Sequence, residues 1–440
     1  MSNIAVIGGG PAGSTCAALL SRAGYNVTLY EKARFPRYHI GESLAPAAMA
    51  ILRLSGALPA IEKAGFLVKR GGLLRWGGED FAIHWEHVFG KGLHSWQVER
   101  ELFDKVLLDH AQESGVTVHE GTTVHQVRMI DDRPVGVQWR NDAGDAGYDA
   151  CDFIVDASGR AGVMGKWTGA KREDHEVFRN VAIWGYWTGA TLLPDTPEGG
   201  LDAVSCPQGW YWTIPLRNDR YSIGFVTHRD HFRERIAQHG SREDLLQAYI
   251  AENDDMREIV RGATYVGPTR VEQDYSYVTE RFSGPGYIMI GDAACFLDPL
   301  LSSGTHLGLY SALLGAASVA AAVDGRILEE EALGFFERRY RYVYERYLSM
   351  VSLMYQQYRG KETYFWHAQR LLKDGDRRQI AQASFTKLIS GMADLRDVGY
   401  VNNDGRTFTT PQIPISAVSD PQGSSGLRLV LDPKLGLASV

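Results

Sequence analysis

The sequence predicts an α/β protein with a Rossmann-like dinucleotide-binding unit, an antiparallel sheet unit and a helical C-terminal region. Three patterns carry that expectation. The chain opens on an apolar run, Ile4–Ile7, followed at once by Gly8-Gly9-Gly10-Pro11-Ala12-Gly13 and a helical stretch, the order of strand, glycine turn and helix that a βαβ unit requires. Two later apolar runs, DFIVDASGR at 152–160 and YIMIGDAACFL at 287–297, read as strands buried on both faces of a parallel sheet. Between them the segments VAIWGYW, WYWTIPL and YSIGFVT alternate, as antiparallel strands with two unlike faces do.

Composition sets the outer bounds. A chain of 440 residues exceeds what one hydrophobic core serves, so two or three units are expected. Forty-six basic and 53 acidic residues give a net charge of −7 without long blocks, which lacks the basic footprint of a nucleic-acid binder. Cys16, Cys151, Cys206 and Cys295 are widely spaced with no CxxC pair. That argues against a disulfide scaffold or a metal site and suits a reducing cytoplasm. No basic n-region or cleavage site precedes the first strand, so no secretion signal is expected. Leu307–Val323 lacks charge, yet seventeen residues are marginal for a bilayer span; a buried helix and no membrane association are expected.

Taken in order, the first elements form a binding site. Gly8 permits the tight turn, Gly10 lets a pyrophosphate approach the backbone, and Gly13, after Ala12, allows close packing. A helix over Ser14–Ala23 offers its N-terminal amides to the phosphates. A second strand, Tyr25–Tyr30, ends at Glu31, 18 residues beyond Gly13, where a carboxylate accepts ribose hydroxyls. Outside such a frame, a glycine-rich turn is only a turn. NAD and FAD both use this fingerprint. Asp156 ends the second apolar run and Gly291-Asp292 the third, where an aspartate also suits a helix N-cap. No second GxGxxG sits in a strand–turn–helix frame, so a separate NADPH domain is not expected.

In this order and at these separations, GxGxxG, DASG and GD resemble the flavoprotein monooxygenase superfamily over about residues 1–330. The resemblance implies FAD in a Rossmann-like domain of the type shared with glutathione reductase and p-hydroxybenzoate hydroxylase. It puts Asp292 at the ribityl chain and Arg100, in QVERELFD, on the flavin side. The FAD domain would comprise residues 1–175 with 264–330, the substrate-side antiparallel sheet 176–263, and a helical region and tail 331–440.

A second set of motifs narrows the family. Trp210-Tyr211-Trp212-Thr213-Ile214-Pro215 is a full WxWxIP, and Trp210, Trp212 and Ile214 share one strand face. Alone, such alternation reads as a core strand. With FPRYHIGESLAP at 35–46 and KRGGLLRWG at 69–77, it resembles the flavin-dependent halogenases. That likeness implies that Glu42 and Ser43 lie along the isoalloxazine, and that Trp210, Trp212, Ile214 and Pro215 wall off the substrate passage. Lys69 becomes the catalytic lysine, although a lysine without such a setting is ordinarily solvated surface. Lys63, six residues earlier, is the fallback. Ser303, Gly304 and Thr305, after Asp298-Pro299, would bind halide through backbone amides.

The implied reaction uses reduced FAD, O2 and chloride or bromide. A flavin C4a-hydroperoxide and halide give hypohalous acid, which Lys69 captures and aims at an electron-rich ring. A separate flavin reductase would supply the reduced flavin. Tryptophan halogenases carry a glutamate before the Ser-Gly pair and a long insertion at the indole pocket; here Leu301 takes that place and the chain is shorter. The expected acceptor is therefore phenolic or pyrrolic, tethered to an acyl or peptidyl carrier protein in natural-product (antibiotic) biosynthesis. The protein would act as a monomer or homodimer. An aromatic hydroxylase using NAD(P)H and a non-catalytic flavin protein are the alternatives. Glu329–Arg378 reads as helix, while Thr407–Val440, with Pro411, Pro414, Pro421 and Pro433, reads as extended tail.

Overall fold

The structure is a computed structural model and describes residues 2–356, 378–398, 426–430 and 434–439. β1 (Asn3–Ile7), α1 (Pro11–Arg22) and β2 (Asn26–Tyr30) form the expected βαβ unit. Pro11 at the first helical position fits because that amide needs no intrahelical partner. β1 pairs in parallel with β2 on one side and with Phe153–Asp156 on the other. The latter strand pairs in parallel with Tyr287–Met289, inside a six-stranded sheet. The register sets Ile7 beside Asp156, and Asp156 beside Met289, so three strands end together at one edge. Ligands of open parallel sheets bind at that carboxyl edge.

The second sheet has nine strands and is mostly antiparallel. Its centre is Arg172–Thr188, Arg220–His228, Gly209–Leu216 and Leu201–Cys206. It also recruits Gly71–Trp76, Glu79–His84, Arg270–Thr279 and Cys295–Phe296, all outside the expected 176–263 boundary. The join is physical: Gly71–Trp76 pairs in parallel with Leu201–Cys206, a contact between segments 130 residues apart. Lys69 closes a separate two-stranded ribbon, Leu67–Lys69 against Ser95–Gln97, with Lys69 opposite Ser95.

The uncharged stretch is a helix, Ser303–Val323, and most of its residues are buried. It is long and apolar enough to cross a membrane by composition, but here it packs inside the protein between α1 and the helix Glu329–Tyr355. Within the helix Glu329–Tyr355, Tyr340, Tyr344 and Tyr347 are core residues. Tyr364-Phe365-Trp366 and the prolines at 411, 414, 421 and 433 lie outside the described residues. The expected extended tail is corrected at its end: Leu427–Val430 and Gly436–Ser439 form an antiparallel hairpin that buries Leu427, Leu429 and Leu437 against the Ser303–Val323 helix.

Candidate active site

The glycine turn is shaped by what its glycines exclude. A Cβ on Gly8, at φ +108°, would lie 2.3 Å from the Ala157 carbonyl oxygen, and one on Gly13 would lie 1.9 Å from that of Gly8. Neither position admits a side chain. Gly10 differs: a Cβ there would meet only Arg37 Nη2, at 3.5 Å, so the space in front of it is open. A pyrophosphate fits that space, with the amides at the start of α1 and the Arg37 guanidinium beside it. Ala12 packs the helix against Gly291 and Gly308. Glu31 is buried, its oxygens accepting from the Gly9 amide at 2.7 Å and the Ala33 amide at 2.8 Å.

At the third strand end, Gly291 takes φ +57° and Asp292 opens a short turn. The Asp292 carboxylate makes no hydrogen bond among the described residues. Burial raises its pKa against the pull of Arg160, Arg100 and Arg172. An acceptor without a donor, in a cationic surround, suits a polyhydroxyl chain. Asp156 is held in the same way as Glu31. Its oxygens accept from the Ser158 amide at 3.0 Å and the Met164 amide at 2.6 Å, and it is fully buried, so it anchors the turn at the strand end. Arg100 is also engaged. It grips Asp104 through Nε (2.7 Å) and Nη2 (3.1 Å), and donates from Nη1 to the Ile40 carbonyl at 2.6 Å. Arg100 thus braces the loop entering Gly41-Glu42-Ser43. The i,i+4 spacing of Arg100 and Asp104 was a readable helix pairing.

That loop is a junction. A Cβ on Gly41 would lie 3.6 Å from Thr305 Oγ1, which brings the loop against the Ser302–Thr305 turn. Glu42 is buried and accepts from Tyr186 Oη at 2.9 Å; Tyr186 in turn meets Tyr38 Oη at 2.9 Å, and Tyr38 accepts from Trp184 Nε1 at 2.9 Å. Burial raises the Glu42 carboxyl to about 7. Ser43 Oγ accepts from Lys69 Nζ at 2.8 Å, and the Leu44 carbonyl accepts from it at 3.2 Å. Lys69 is 4% exposed, with no carboxylate partner among the described residues, and burial lowers its pKa to about 7. A neutral amine has two N–H groups, and two acceptors are present; its lone pair stays free. Lys63, the fallback, is exposed on a surface helix.

The WxWxIP strand is Gly209–Leu216, and its alternation holds. Trp210, Trp212 and Ile214 belong to the main core, while Tyr211 packs on the other face with Phe225. Pro215, at the end of the strand, is buried too, in register with Tyr221. Trp76, Trp210, Trp212 and Trp184 follow one another at centroid separations of 6.3, 6.0 and 6.1 Å. Trp210 Nε1 donates to Tyr355 Oη at 2.8 Å, and Tyr355 donates to Asp298 Oδ2 at 2.7 Å, which ties the wall to the residue before Pro299. After the turn Pro299–Leu301, Ser302 takes φ +53° and Ser303 starts the buried helix. Ser303 Oγ is buried without a partner, and a Cβ on Gly304 would meet nothing within 4 Å. Leu301 is buried and brings no carboxylate to this turn. Tyr355 had no local sequence signal, and although Arg37, Tyr38, Tyr186 and Asp298 fall inside the quoted segments, only the tertiary contacts give them their partners.

The family described as "Tryptophan halogenase" matches residues 3–95 and 91–395 of this chain. A protein named tryptophan 2-halogenase from Chondromyces crocatus is 40% identical over 415 residues, which are 92% of this chain and 78% of that one. The flavin-dependent halogenase armH3 of Armillaria mellea is 36% identical over 386 residues, 82% of this chain and 76% of its own. The chain belongs to the flavin-dependent halogenase family. The fold agrees: the myxobacterial chondrochloren halogenase CndH superposes with a TM-score of 0.77 at 35% identity, covering 90% of this chain and 91% of that one. As a member of this family the enzyme is an oxidoreductase that uses FAD, halide and O2. The Gly10 space, the amides of α1 and the unpaired Asp292 carboxylate are the residues of this halogenase that fit FAD.

Proposed function

We propose that this halogenase turns chloride or bromide into hypohalous acid and delivers it through Lys69 to a phenolic or pyrrolic ring. Bound and reduced, FAD together with O2 supplies the oxidising power. The chain's own residues hold and steer. The amides at Ser303, Gly304 and Thr305 bind halide beside the Gly41 loop, because a turn of unpaired N–H groups holds an anion without a cationic side chain. Glu42 and Ser43 fix the loop between that turn and the lysine. Trp210, Trp212, Ile214 and Pro215 keep water out of the passage and keep the acceptor away from the flavin.

The observation that carries this reading is Lys69, a buried amine with a lowered pKa, two acceptors and no counter-ion among the described residues. Burial favours the neutral form. A neutral amine attacks the halogen of hypohalous acid, forming an N–halogen bond and releasing water; alternatively, its N–H groups hold the acid in place. Either way an electrophilic halogen reaches a ring rich in electrons.

The acceptor is read as a phenolic acyl group on a carrier protein, since Leu301 leaves the turn without a base and a phenol activates its own ring. A second reading is free tryptophan, supported by the name of the Chondromyces crocatus relative. Reduced FAD is taken to come from a separate reductase, for the sequence has no second dinucleotide fingerprint. A reducing compartment suits the four cysteines, which are all free. The test supplies reduced FAD, O2 and either halide with one phenolic acid, free or carrier-loaded, and with free tryptophan. Mass spectrometry should show halogen on the loaded carrier. Turnover of tryptophan alone would overturn the phenolic reading, and hydroxylated product without halogen would overturn the role of Lys69.

A further inference from the structure

We infer that Asp394 is a positioning residue for halide oxidation, acting through His306 on the first helical turn after Ser303. This rests on reading Ser303–Thr305 as the halide turn. His306 is the next residue along the chain, and its ring is 1% exposed. Its Nε2 lies 2.6 Å from Asp394 Oδ2, while its Nδ1 is buried without a partner. Among the described residues, that bond is the one that fixes the ring's polar edge. Asp394 Oδ1 is paired with Arg346, whose Nη1 donates to Asp397 Oδ2 at 2.7 Å. All four groups are buried, so each charge depends on the others.

The same C-terminal segment touches the lysine side. Gly391, at φ +72°, presses on His306: a Cβ there would lie 2.4 Å from the ring. One residue earlier, the Ser390 carbonyl accepts from the Ala47 amide at 2.9 Å, and Ala47 follows Leu44, the acceptor of Lys69, by three residues. Tyr347 Oη holds the Leu388 carbonyl at 2.8 Å. One turn, 388–391, therefore braces both the halide helix and the loop under Lys69. Buried ionic clusters are weak stabilisers compared with apolar packing, so their directionality is what this one contributes.

The experiment measures kcat, the halide and acceptor KM values, FAD affinity and melting temperature of the full-length enzyme. The variants are Asp394→Asn, Gly391→Ala and Gly304→Val. Gly391→Ala keeps every charge and pushes on the His306 ring, although at φ +72° it also strains the backbone, so its halide KM is read beside its melting temperature if Asp394→Asn folds poorly. Both should raise the halide KM by about two- to thirtyfold, with the acceptor KM and FAD affinity unmoved. A lowered melting temperature with an unchanged halide KM in both variants would overturn the proposal. Gly304→Val fills open space in front of the turn and tests the halide reading itself. If that variant leaves the halide KM alone, the halide turn is misplaced; if it raises the KM while the other two do not, only the positioning role fails.

Discussion

Lys69 concentrates the chemistry in one side chain, and it yields two expectations. Lys69→Ala should lower halogenation by at least about a hundredfold, the scale of losing one acid–base or nucleophilic group. FAD binding and hydrogen peroxide release should persist, because the glycine turn and Asp292 are untouched; near-normal product would remove Lys69 from the mechanism. The second expectation concerns stability. The lysine falls from an ordinary 10.5 to about 7 on folding, so the folded chain binds fewer protons than the unfolded chain between those values. Stability at this site therefore rises with pH across that window, and the burial penalty is fully present below about pH 7. Lys69→Met, which keeps the stem and discards the charge, should raise the melting temperature near about pH 6, with the gain fading towards pH 10.5. A gain independent of pH would mean that Lys69 is not buried as an ammonium in the folded enzyme at low pH. The identity of this lysine was legible through its neighbours, KRGG and WG. Its physical state was not, since Ser43 and Leu44 lie 26 and 25 residues away and meet it only through the ribbon with Ser95–Gln97.

At the level of elements, the βαβ unit was the most legible part, because its glycines answer to steric rules that hold locally. The structure separates their tasks. Gly8→Ala should impair folding, as its Cβ would collide with the Ala157 carbonyl at a positive φ. Gly10→Val should fold with little loss, since only the end of Arg37 lies near, yet it should lose FAD because the side chain occupies the pyrophosphate's space. Flavin absorbance of purified protein beside its melting temperature distinguishes the two. A Gly10→Val protein that retains FAD would place the pyrophosphate elsewhere. The WxWxIP strand was equally readable, as its two-residue period survives in the buried faces of Trp210 and Tyr211. What the sequence concealed were partners. Asp156 was readable as the end of a strand, but not the Ser158 and Met164 amides that hold it. Tyr355 carries no motif, yet it joins Trp210 to Asp298 and so relates the wall to the halide turn.

Across the whole molecule, the expected units are less separate than their sequence boundaries imply. Strands from residues 71–84 and 270–279 enter the nine-stranded sheet, so the chain crosses between sheets several times. One continuous apolar cluster holds Ile4 and Val6 of the parallel sheet, Trp210 and Trp212 of the wall, Leu309 and Leu313 of the buried helix, and Leu429 and Leu437 of the final hairpin. Neither sheet can lose its packing without exposing the other. The flavin-free enzyme should therefore unfold in one transition, with tryptophan fluorescence, weighted to the wall, and far-UV circular dichroism, weighted to the helices, giving the same midpoint. Leu437→Ala, in the hairpin, should destabilise by about 2–5 kcal/mol, as truncated core leucines do, and should shift both signals together. The hairpin is the last of the described elements, so this variant reports whether it belongs to the shared core. Separate midpoints, or a Leu437→Ala shift confined to one signal, would show that the parallel sheet and the tryptophan wall fold as independent bodies and that the buried helix does not couple them.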